Sequence, residues 1–343
     1  MKKLKLIVLP VLVLVLVIAG CDSSSSGGGG GLDYDVMVNI GAAIYNFGDE
    51  FVLGIKNSIE DYALGKANVD IVNSNNSQST QNDQIDKFIS DEVDAMIINP
   101  VNSSDVGPII EKAMAANIPV VFVNRQPAAS ELAKWNKFYY VDSDSLESGM
   151  MQGEIAYDYW KANKSADKNG DGIIQYIMLK GPTDNNAAVM RTQYSIKYLT
   201  DKGVKVECLE EYIVGWSFDF AKTKMAEFIS SYGDNIEMVF GNNDDIALGA
   251  IDALLAAGYF QGGKYMPVIG VDGTSGAFNS IAAGYLLGTV LQSNRDQGRA
   301  AFDLAYALAA NKDISSAGWK ITDGKYVWVP HVKITRDNYQ NYR

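Results

Sequence analysis

The stretch Asp167-Lys168-Asn169-Gly170-Asp171-Gly172-Ile173-Ile174-Gln175 lies near the middle of the chain. Side chains that carry oxygen recur at every second position, namely Asp167, Asn169, Asp171 and Gln175. This alternation is typical of the first nine positions of an EF-hand-type calcium loop, with the carbonyl of Ile173 as a further ligand. Position twelve, where a bidentate carboxylate belongs, holds Met178. Either the loop binds no metal, or the carboxylate comes from elsewhere in the chain, or the stretch is a simple polar turn.

The residues after this loop predict a strand and not the helix of an EF-hand, because residues 174–179 are apolar and β-branched. This strand opens the second of two series in which strands alternate with amphipathic helices. The predicted strands cover residues 35–40, 69–72, 95–98 and 118–123 before the loop, and 174–179, 204–209, 238–240, 268–271 and 288–291 after it. Such alternation indicates parallel sheets with right-handed crossovers. Two series of similar length predict an α/β protein with two doubly wound parallel-sheet domains and not one barrel.

The N-terminus has the pattern of a processing signal. Three lysines, at positions 2, 3 and 5, precede an apolar run at residues 6–18 that is too short to span a bilayer comfortably. Residues 18–21 (Ile-Ala-Gly-Cys) resemble a bacterial lipobox, which implies a signal peptide over residues 1–20 and lipidation of Cys21. An ordinary secretory peptide or an uncleaved anchor is the alternative. Residues 21–32 then form a Ser/Gly tether, so we expect an exported protein, lipid-anchored on the periplasmic or extracellular face of the membrane.

Charge and cysteine content restrict the partners. The net charge of −12 becomes −15 once the three lysines of the signal are removed. An acidic, exported chain argues against nucleic acid as a partner. With Cys21 lipidated, Cys208 stands alone, so no intramolecular disulfide is expected.

Polar and aromatic side chains follow successive predicted strands, and ligands of open α/β sheets bind beyond the carboxyl ends of strands. These candidate residues are Asp49, Phe51, Asn124, Asn185, Arg191, Trp216, Asn243, Asp272 and Gln292. Planar carboxylate, amide and guanidinium groups bridge vicinal hydroxyls, and aromatic faces cover the C–H patches of a pyranose. Taken singly, an Asp or Asn at a strand end is as often a helix N-cap. Together they predict a site for a neutral polyol.

Catalytic patterns are weak in this sequence. His331 is the one histidine, which excludes Ser/His and Cys/His nucleophile pairs, and no glycine-rich phosphate loop follows a strand. Asp49 and Asp272 could flank a glycosidic bond, but a sugar-binding cleft contains the same acids. We therefore expect a binding protein and not an enzyme.

Several phrases resemble the periplasmic galactose/glucose-binding proteins, which are solute receptors of bacterial sugar ABC transporters. They are Gln81-Asn-Asp-Gln-Ile-Asp86, Tyr139-Tyr-Val141, Glu147-Ser-Gly149, Asp167 to Gln175, Gly241-Asn-Asn-Asp244, Gly270-Val-Asp272 and Gly288-Thr-Val-Leu291. The similarity runs from about Tyr34 to the C-terminus. It implies the type I periplasmic binding protein fold, with three hinge crossovers near residues 141–143, 290–294 and 326–330. The domains would comprise residues 33–141 plus 294–326, and residues 142–293 plus 327–343.

The resemblance also implies roles for the candidate residues. Phe51 and Trp216 would sandwich the sugar ring. Its hydroxyls would bond with Asp49 and Asn124 from one domain, and with Arg191, Asn243 and Asp272 from the other. Glu237 would supply the missing bidentate carboxylate to a structural Ca²⁺ held by Asp167, Asn169, Asp171, Ile173 and Gln175.

Three positions depart from the family pattern. Asn185 replaces a His, Ala187 replaces an Asp, and Gln292 replaces a hinge Asn. Arg125, in addition, is similar to part of an Asp-Arg pair in ribose-binding relatives. These differences leave the preferred sugar open.

The implied function is a monomeric receptor that binds D-glucose or D-galactose and presents it to an ABC permease. One alternative is the same fold with a pentose or another small polyol as ligand. Another is a sugar sensor that signals to a chemoreceptor or a membrane kinase. A transcriptional regulator is disfavoured, because the signal peptide and tether occupy the place of its DNA-binding segment.

Overall fold

The computed structural model describes residues 32–342, which form two parallel sheets flanked by helices. The predicted signal peptide, the tether residues 21–31 and Cys21 lie outside these residues. Within the described part of the chain, no helix is both long and apolar enough to cross a membrane.

The first sheet has seven strands. They are β1 (Val38–Ile44), β2 (Ala67–Asn73), β3 (Ala95–Ile98), β4 (Val120–Val123), β5 (Phe138–Asp142), β11 (Ile321–Thr322) and β12 (Tyr326–Trp328). Their order across the sheet is β11-β12-β5-β4-β3-β1-β2, and every pairing is parallel except that of β11 with β12. The associated helices are α1 (Glu50–Ala63), α2 (Gln78–Ser90), α3 (Gly107–Ala116), α4 (Ala129–Leu132) and α10 (Asn294–Ala309). This sheet and these helices form the first lobe.

The second sheet has six strands. They are β6 (Ile173–Lys180), β7 (Lys205–Ile213), β8 (Met238–Gly241), β9 (Val268–Ile269), β10 (Gly288–Gln292) and β13 (His331–Thr335). Their order across the sheet is β13-β10-β9-β8-β6-β7, and only β13 is antiparallel. The helices are α5 (Ser145–Ala162), α6 (Asn186–Asp201), α7 (Phe218–Tyr232), α8 (Asp244–Ala256) and α9 (Ser275–Ala283). Together they form the second lobe.

The central strands are apolar along their whole length because helices cover both faces of each sheet. All four residues of β3 and of β4 are buried. On one face of the first sheet, Val121 packs in the same core as Phe302 of α10, and on the other face Phe122 packs with Phe88 of α2. The second sheet likewise has one core on each face.

The predicted fold class of two doubly wound α/β units is confirmed. The chain passes between the lobes three times, after β5, after β10 and after β12. The sequence placed the first and third domain boundaries slightly too early, because β5 extends to Asp142 and pairs there with Trp328 of β12. Asp142, Val327 and Trp328 therefore belong to the first sheet. The predicted domain limits otherwise stay a prediction.

Candidate ligand-binding site between the lobes

A polar cavity of about 50 Å³ lies between the carboxyl ends of the two sheets, and we call it the inner cavity. All nine candidate residues from the sequence line it. Its complete lining is Tyr45, Asp49, Phe51, Val52, Asn124, Arg125, Asn185, Ala187, Arg191, Trp216, Asn243, Asp272 and Gln292. These residues are up to about 240 positions apart in the chain, and they meet because the strands that precede them end at the cavity. Tyr45 and Val52 are the lining residues that the candidate set and its departures did not include.

On the first lobe, Asp49 has two functions at once. One carboxylate oxygen accepts a hydrogen bond from the Val52 N–H (3.1 Å) and caps α1, while the other accepts a hydrogen bond from the Tyr45 hydroxyl. The same Tyr45 ring carries the Arg125 guanidinium, 3.6 Å from the ring centroid, and Arg125 also donates to the Val101 carbonyl (2.7 Å). Local sequence patterns do not predict this stacked wall, because Tyr45, Val101 and Arg125 follow three different strands.

Asn124 stands at the end of β4 with a φ of 65°, a left-handed conformation that asparagine adopts more readily than most residues. Its side-chain oxygen accepts a hydrogen bond from the buried Asn99 amide (3.3 Å), whose amide also donates to the Val123 carbonyl (2.9 Å). The bend of the chain after β4 therefore fixes the direction of Asn124.

On the second lobe, Arg191 is buried, with only 4% of its surface exposed. Its two terminal nitrogens donate to the Asn242 carbonyl (2.9 Å) and to Gln292 Oε1 (2.5 Å), and Nη1 lies 3.5 Å from Asp272 Oδ1. Burial raises the pKa of the Asp272 carboxyl, and the Arg191 charge opposes that rise. A helical arginine is usually solvated, but here it forms the floor of the cavity.

The amides of the second lobe are helix caps that also face the cavity. Asn185 Oδ1 accepts from the N–H groups of Ala187 (2.9 Å) and Ala188 (3.3 Å) and caps α6, and Asn243 Oδ1 accepts from Ile246 (3.0 Å) and caps α8. Because capping uses the oxygen, each amide nitrogen remains as a donor. The cap and ligand interpretations of these residues are therefore compatible.

Trp216 precedes the N-cap of α7 and lies against the backbone of Gly181 at the end of β6. A Cβ atom built at position 181 would stand 2.4 Å from the indole ring. The absence of a side chain at Gly181 is thus a condition for the position of this aromatic wall.

A buried polar chain joins the inner cavity to the hinge. Gln292 accepts from Arg191, and its Nε2 faces Asp142 Oδ1 at 3.4 Å. Asp142 also accepts from Gln297 Nε2 (3.1 Å) and from the Tyr140 hydroxyl (2.5 Å). Asp142 is 5% exposed, and burial raises the pKa of its carboxyl to about 7. Sequence reasoning missed Asp142 and Gln297, because no motif marks them.

The calcium-like loop lies at the opposite end of β6 from the inner cavity. Asp167 accepts from the N–H groups of Gly170 (2.8 Å) and Gly172 (3.0 Å), and both glycines have positive φ, which favours a residue without a side chain. Asn169 and Asp171 cap neighbouring N–H groups in the same way. These contacts curl the loop around its oxygens.

Glu237, the distant carboxylate of the sequence hypothesis, does lie at this loop. It is 1% exposed and accepts from the N–H groups of Lys168 (2.6 Å) and Gln175 (3.2 Å). Burial and the nearby Asp167 and Asp171 raise the pKa of its carboxyl. Across residues 32–342 no three Asp, Glu, His or Cys side chains stand close enough to form a recognisable metal cluster. The oxygen-rich donors nevertheless fit a hard cation, and the buried Gln175 Oε1 has no hydrogen-bond partner in this part of the chain.

Comparison with known proteins identifies the family. The model for the periplasmic binding protein domain matches residues 40–313. The chain is 38% identical over 303 residues to the D-galactose/methyl-galactoside binding periplasmic protein of Haemophilus influenzae, covering 87% of this chain and 90% of that protein. It is 30% identical over 301 residues to the xylitol-binding protein of Mycolicibacterium smegmatis, with coverage of 87% and 77%.

Solved structures with lower identity agree in fold. An ABC transporter solute binding protein from Bacillus halodurans with bound myo-inositol has a TM-score of 0.76 at 24% identity, covering 92% of this chain and 99% of that one. An ABC transporter periplasmic solute binding protein from Actinobacillus succinogenes with bound D-allose has a TM-score of 0.76 at 20% identity, with coverage of 89% and 100%. The chain therefore belongs to the periplasmic binding protein family and is a binding protein, not an enzyme.

Proposed function

We propose that the inner cavity binds a single hexose unit, D-glucose or D-galactose, and that the protein delivers its ligand to the permease of an ABC transporter. The observation that carries this proposal is the convergence of nine polar and aromatic side chains from both lobes on one cavity. Among the nine, two carboxylates, four amides and one guanidinium supply planar groups for vicinal hydroxyls, and two aromatic rings complete the set. The 38% identity to a galactose and methyl-galactoside receptor supports the choice of hexose.

A ligand held between the lobes would stabilise the closed arrangement, since each lobe contributes part of the contact surface. One direct contact between the lobes lies at the mouth, where Ser275 Oγ at the start of α9 donates to Glu50 Oε1 at the start of α1 (3.4 Å). The closed protein would then present its ligand outside the cytoplasm. Signalling to a chemoreceptor or a membrane kinase would use the same closure.

A pentose or another small polyol is the second candidate. Ala187 replaces a polar residue in the cavity wall, and the Arg125 guanidinium lines the same wall. Relatives include the xylitol-binding protein and a ribose import binding protein of Bacillus subtilis, which is 29% identical over 285 residues. The two candidates differ only in which hydroxyls the amides must satisfy.

The deciding experiment is isothermal titration calorimetry of the purified protein with D-glucose, D-galactose, D-xylose and D-ribose, with calcium present. Micromolar or tighter binding of glucose or galactose alone supports the hexose receptor. Heat with a pentose and none with the hexoses would mean that Asn185, Ala187 and Gln292 have changed the pocket, and the proposal would be wrong about the ligand.

We also propose a structural Ca²⁺ at the loop, held by Asp167, Asn169, Asp171, the Ile173 carbonyl, Gln175 and Glu237. The ion would offset the repulsion among the acids and join the loop to the strand edge beside Glu237. Chelation should therefore lower thermal stability more than sugar affinity. Loss of sugar binding with an unchanged melting temperature would contradict this role.

The remaining expectations concern assembly and location. We propose a monomer that is anchored by a lipid on Cys21, so that the Ser/Gly segment tethers the receptor close to its permease. Metabolic labelling with a radioactive fatty acid tests the anchor. A Cys21→Ser variant should lose the label.

A further inference from the structure

We propose that the ligand extends beyond the inner cavity into a second polar subsite, so that the protein accepts a neutral disaccharide. This inference rests on the proposed sugar-binding function. The second subsite is a groove of about 460 Å³ that adjoins the inner cavity and runs along the mouth of the cleft. We call it the outer groove.

The outer groove and the inner cavity are direct neighbours. They share five wall residues, which are Tyr45, Asp49, Arg125, Asn185 and Trp216. Beyond this shared wall, the groove takes further lining residues from both lobes, among them Asn102 from the first and Asp184 from the second. Under this proposal, a ligand bound in the inner cavity projects a substituent between the lobes, past these shared residues.

The chemistry of the outer groove matches a second polyol. Its lining beyond the shared wall includes the amides and hydroxyls of Asn46, Asn76, Asn102, Ser103 and Ser217. These groups both donate and accept hydrogen bonds, as a sugar hydroxyl does. The lining acids Asp49 and Asp184 disfavour an anionic substituent such as a phosphate.

The single lining cation is already engaged within the described structure. Arg125 stacks on the Tyr45 ring and donates to the Val101 carbonyl. Its flat guanidinium and the Trp216 ring thus frame the passage from the inner cavity to the outer groove as planar surfaces, which suit the C–H face of a second sugar ring.

The polar groups of the groove are held in place before any ligand arrives. Asn46 Oδ1 accepts from the Gly48 N–H (2.9 Å), and Asn102 Oδ1 accepts from the Ser104 N–H (3.0 Å). These contacts use the amide oxygens and leave the amide nitrogens as donors toward a ligand. Groups that are ordered in advance cost less conformational entropy on binding.

The two volumes bear on how the parts of a larger ligand would be distributed between the two spaces. Water finds more free space in the outer groove than in the inner cavity, about 460 Å³ against about 50 Å³. A ligand confined to the inner cavity would leave the polar groove entirely to water. A second sugar unit would replace that water with fixed donors and acceptors from both lobes.

The test compares hexoses with disaccharides on the purified protein. Calorimetry with D-galactose, D-glucose, lactose, melibiose, cellobiose and maltose covers both hexoses and both anomeric linkages. We expect at least one disaccharide to bind as tightly as the hexose, or more tightly. Hexose binding without any disaccharide binding overturns the inference but leaves the proposed function intact, whereas silence from every sugar refutes both.

A filled groove gives the second measurement. Ser103→Trp places a large ring in the outer groove, whereas Ser104→Trp alters the neighbouring exposed residue, which does not line it. We expect S103W to weaken disaccharide binding by about tenfold or more, with hexose affinity within about twofold of the unaltered protein. S104W should change neither affinity. Unchanged disaccharide binding in S103W would overturn the inference.

Discussion

Replacing the buried hinge acid, Asp142→Asn, should remove part of the pH dependence of stability. Asp142 accepts hydrogen bonds from Tyr140, Gln292 and Gln297 at the end of β5, and its carboxyl has a pKa of about 7 because it is buried. In the unfolded chain the pKa is about 3.9. The folded state therefore binds this proton more tightly than the unfolded state does. The resulting stability is present at low pH and is lost as pH rises toward 7.

The magnitude follows from the two pKa values. Each pKa unit corresponds to about 1.4 kcal/mol, and between pH 5 and pH 8 the folded carboxyl loses a proton that the unfolded carboxyl has already lost. As pH rises from 5 to 8, the loss of the Asp142 proton should therefore lower the free energy of unfolding by about 2–3 kcal/mol. Asp244 and Asp245, whose pKa values are raised to about 7 and about 6, contribute slopes of the same sign. Only the difference between the protein and its variant isolates Asp142.

The assay is urea unfolding of the ligand-free protein, of D142N and of Asp144→Asn at pH 5 and pH 8. Asp144 is the exposed N-cap of α5, a position that asparagine caps equally well, so D144N is the matched control. The D142N amide can donate to Gln297 Oε1, which has no partner within residues 32–342, and the hinge should keep its structure. Equal pH slopes for D142N and the unaltered protein would refute the argument.

Three further substitutions test the cavity and the loop. Gly181→Ala should displace the Trp216 ring, because the new Cβ would stand 2.4 Å from it, and calorimetry should show sugar binding weakened by about tenfold. The control Gly107→Ala meets no atom within 4 Å and should leave sugar affinity unchanged. Equal affinities in the two variants would show that the Trp216 ring does not contact the sugar. Glu237→Gln should abolish the calcium-dependent rise in melting temperature, about 5 °C for an ion at 100 times its Kd, and an undiminished rise would exclude Glu237 as a ligand. Arg191→Met should destabilise the protein by about 3–5 kcal/mol because it leaves a buried carboxylate without its cation, with the larger loss at pH 8 than at pH 5; a loss of binding without destabilisation would contradict this.

Much of the fold followed from local patterns in the sequence. Runs such as residues 118–123 are apolar throughout and short, which favours a strand covered on both faces, so the parallel sheets were predictable. The limits of individual strands were less predictable. Residues 139–141 were not among the predicted strands, yet they lie within β5, which pairs with β4 and also with β12, a strand almost 190 residues later. The limits of such a strand depend in part on a partner that is distant in the sequence.

The candidate site divides in the same way. Residues at strand ends, such as Asn124 and Asp272, were predictable because the topology of a parallel sheet gathers its carboxyl ends. The stacking of Arg125 on Tyr45 and the partners of Asp142 were not, since each contact joins loops or crossovers whose proximity no local pattern encodes. The contacts that could not be predicted are therefore those in which one side chain fixes the position of another.

Gln292, which stands where the family pattern has asparagine, has a role that its sequence context does not indicate. The additional methylene lets one amide span two partners, with its oxygen 2.5 Å from Arg191 and its nitrogen 3.4 Å from Asp142. A residue that departs from the family pattern therefore connects the floor of the cavity to the hinge. If sugar binding draws Arg191 toward the ligand, the bond to Gln292 must lengthen or follow it, and the hinge acid then changes its environment. We accordingly expect sugar affinity to depend on pH near 7 in the unaltered protein and to depend on it less in D142N.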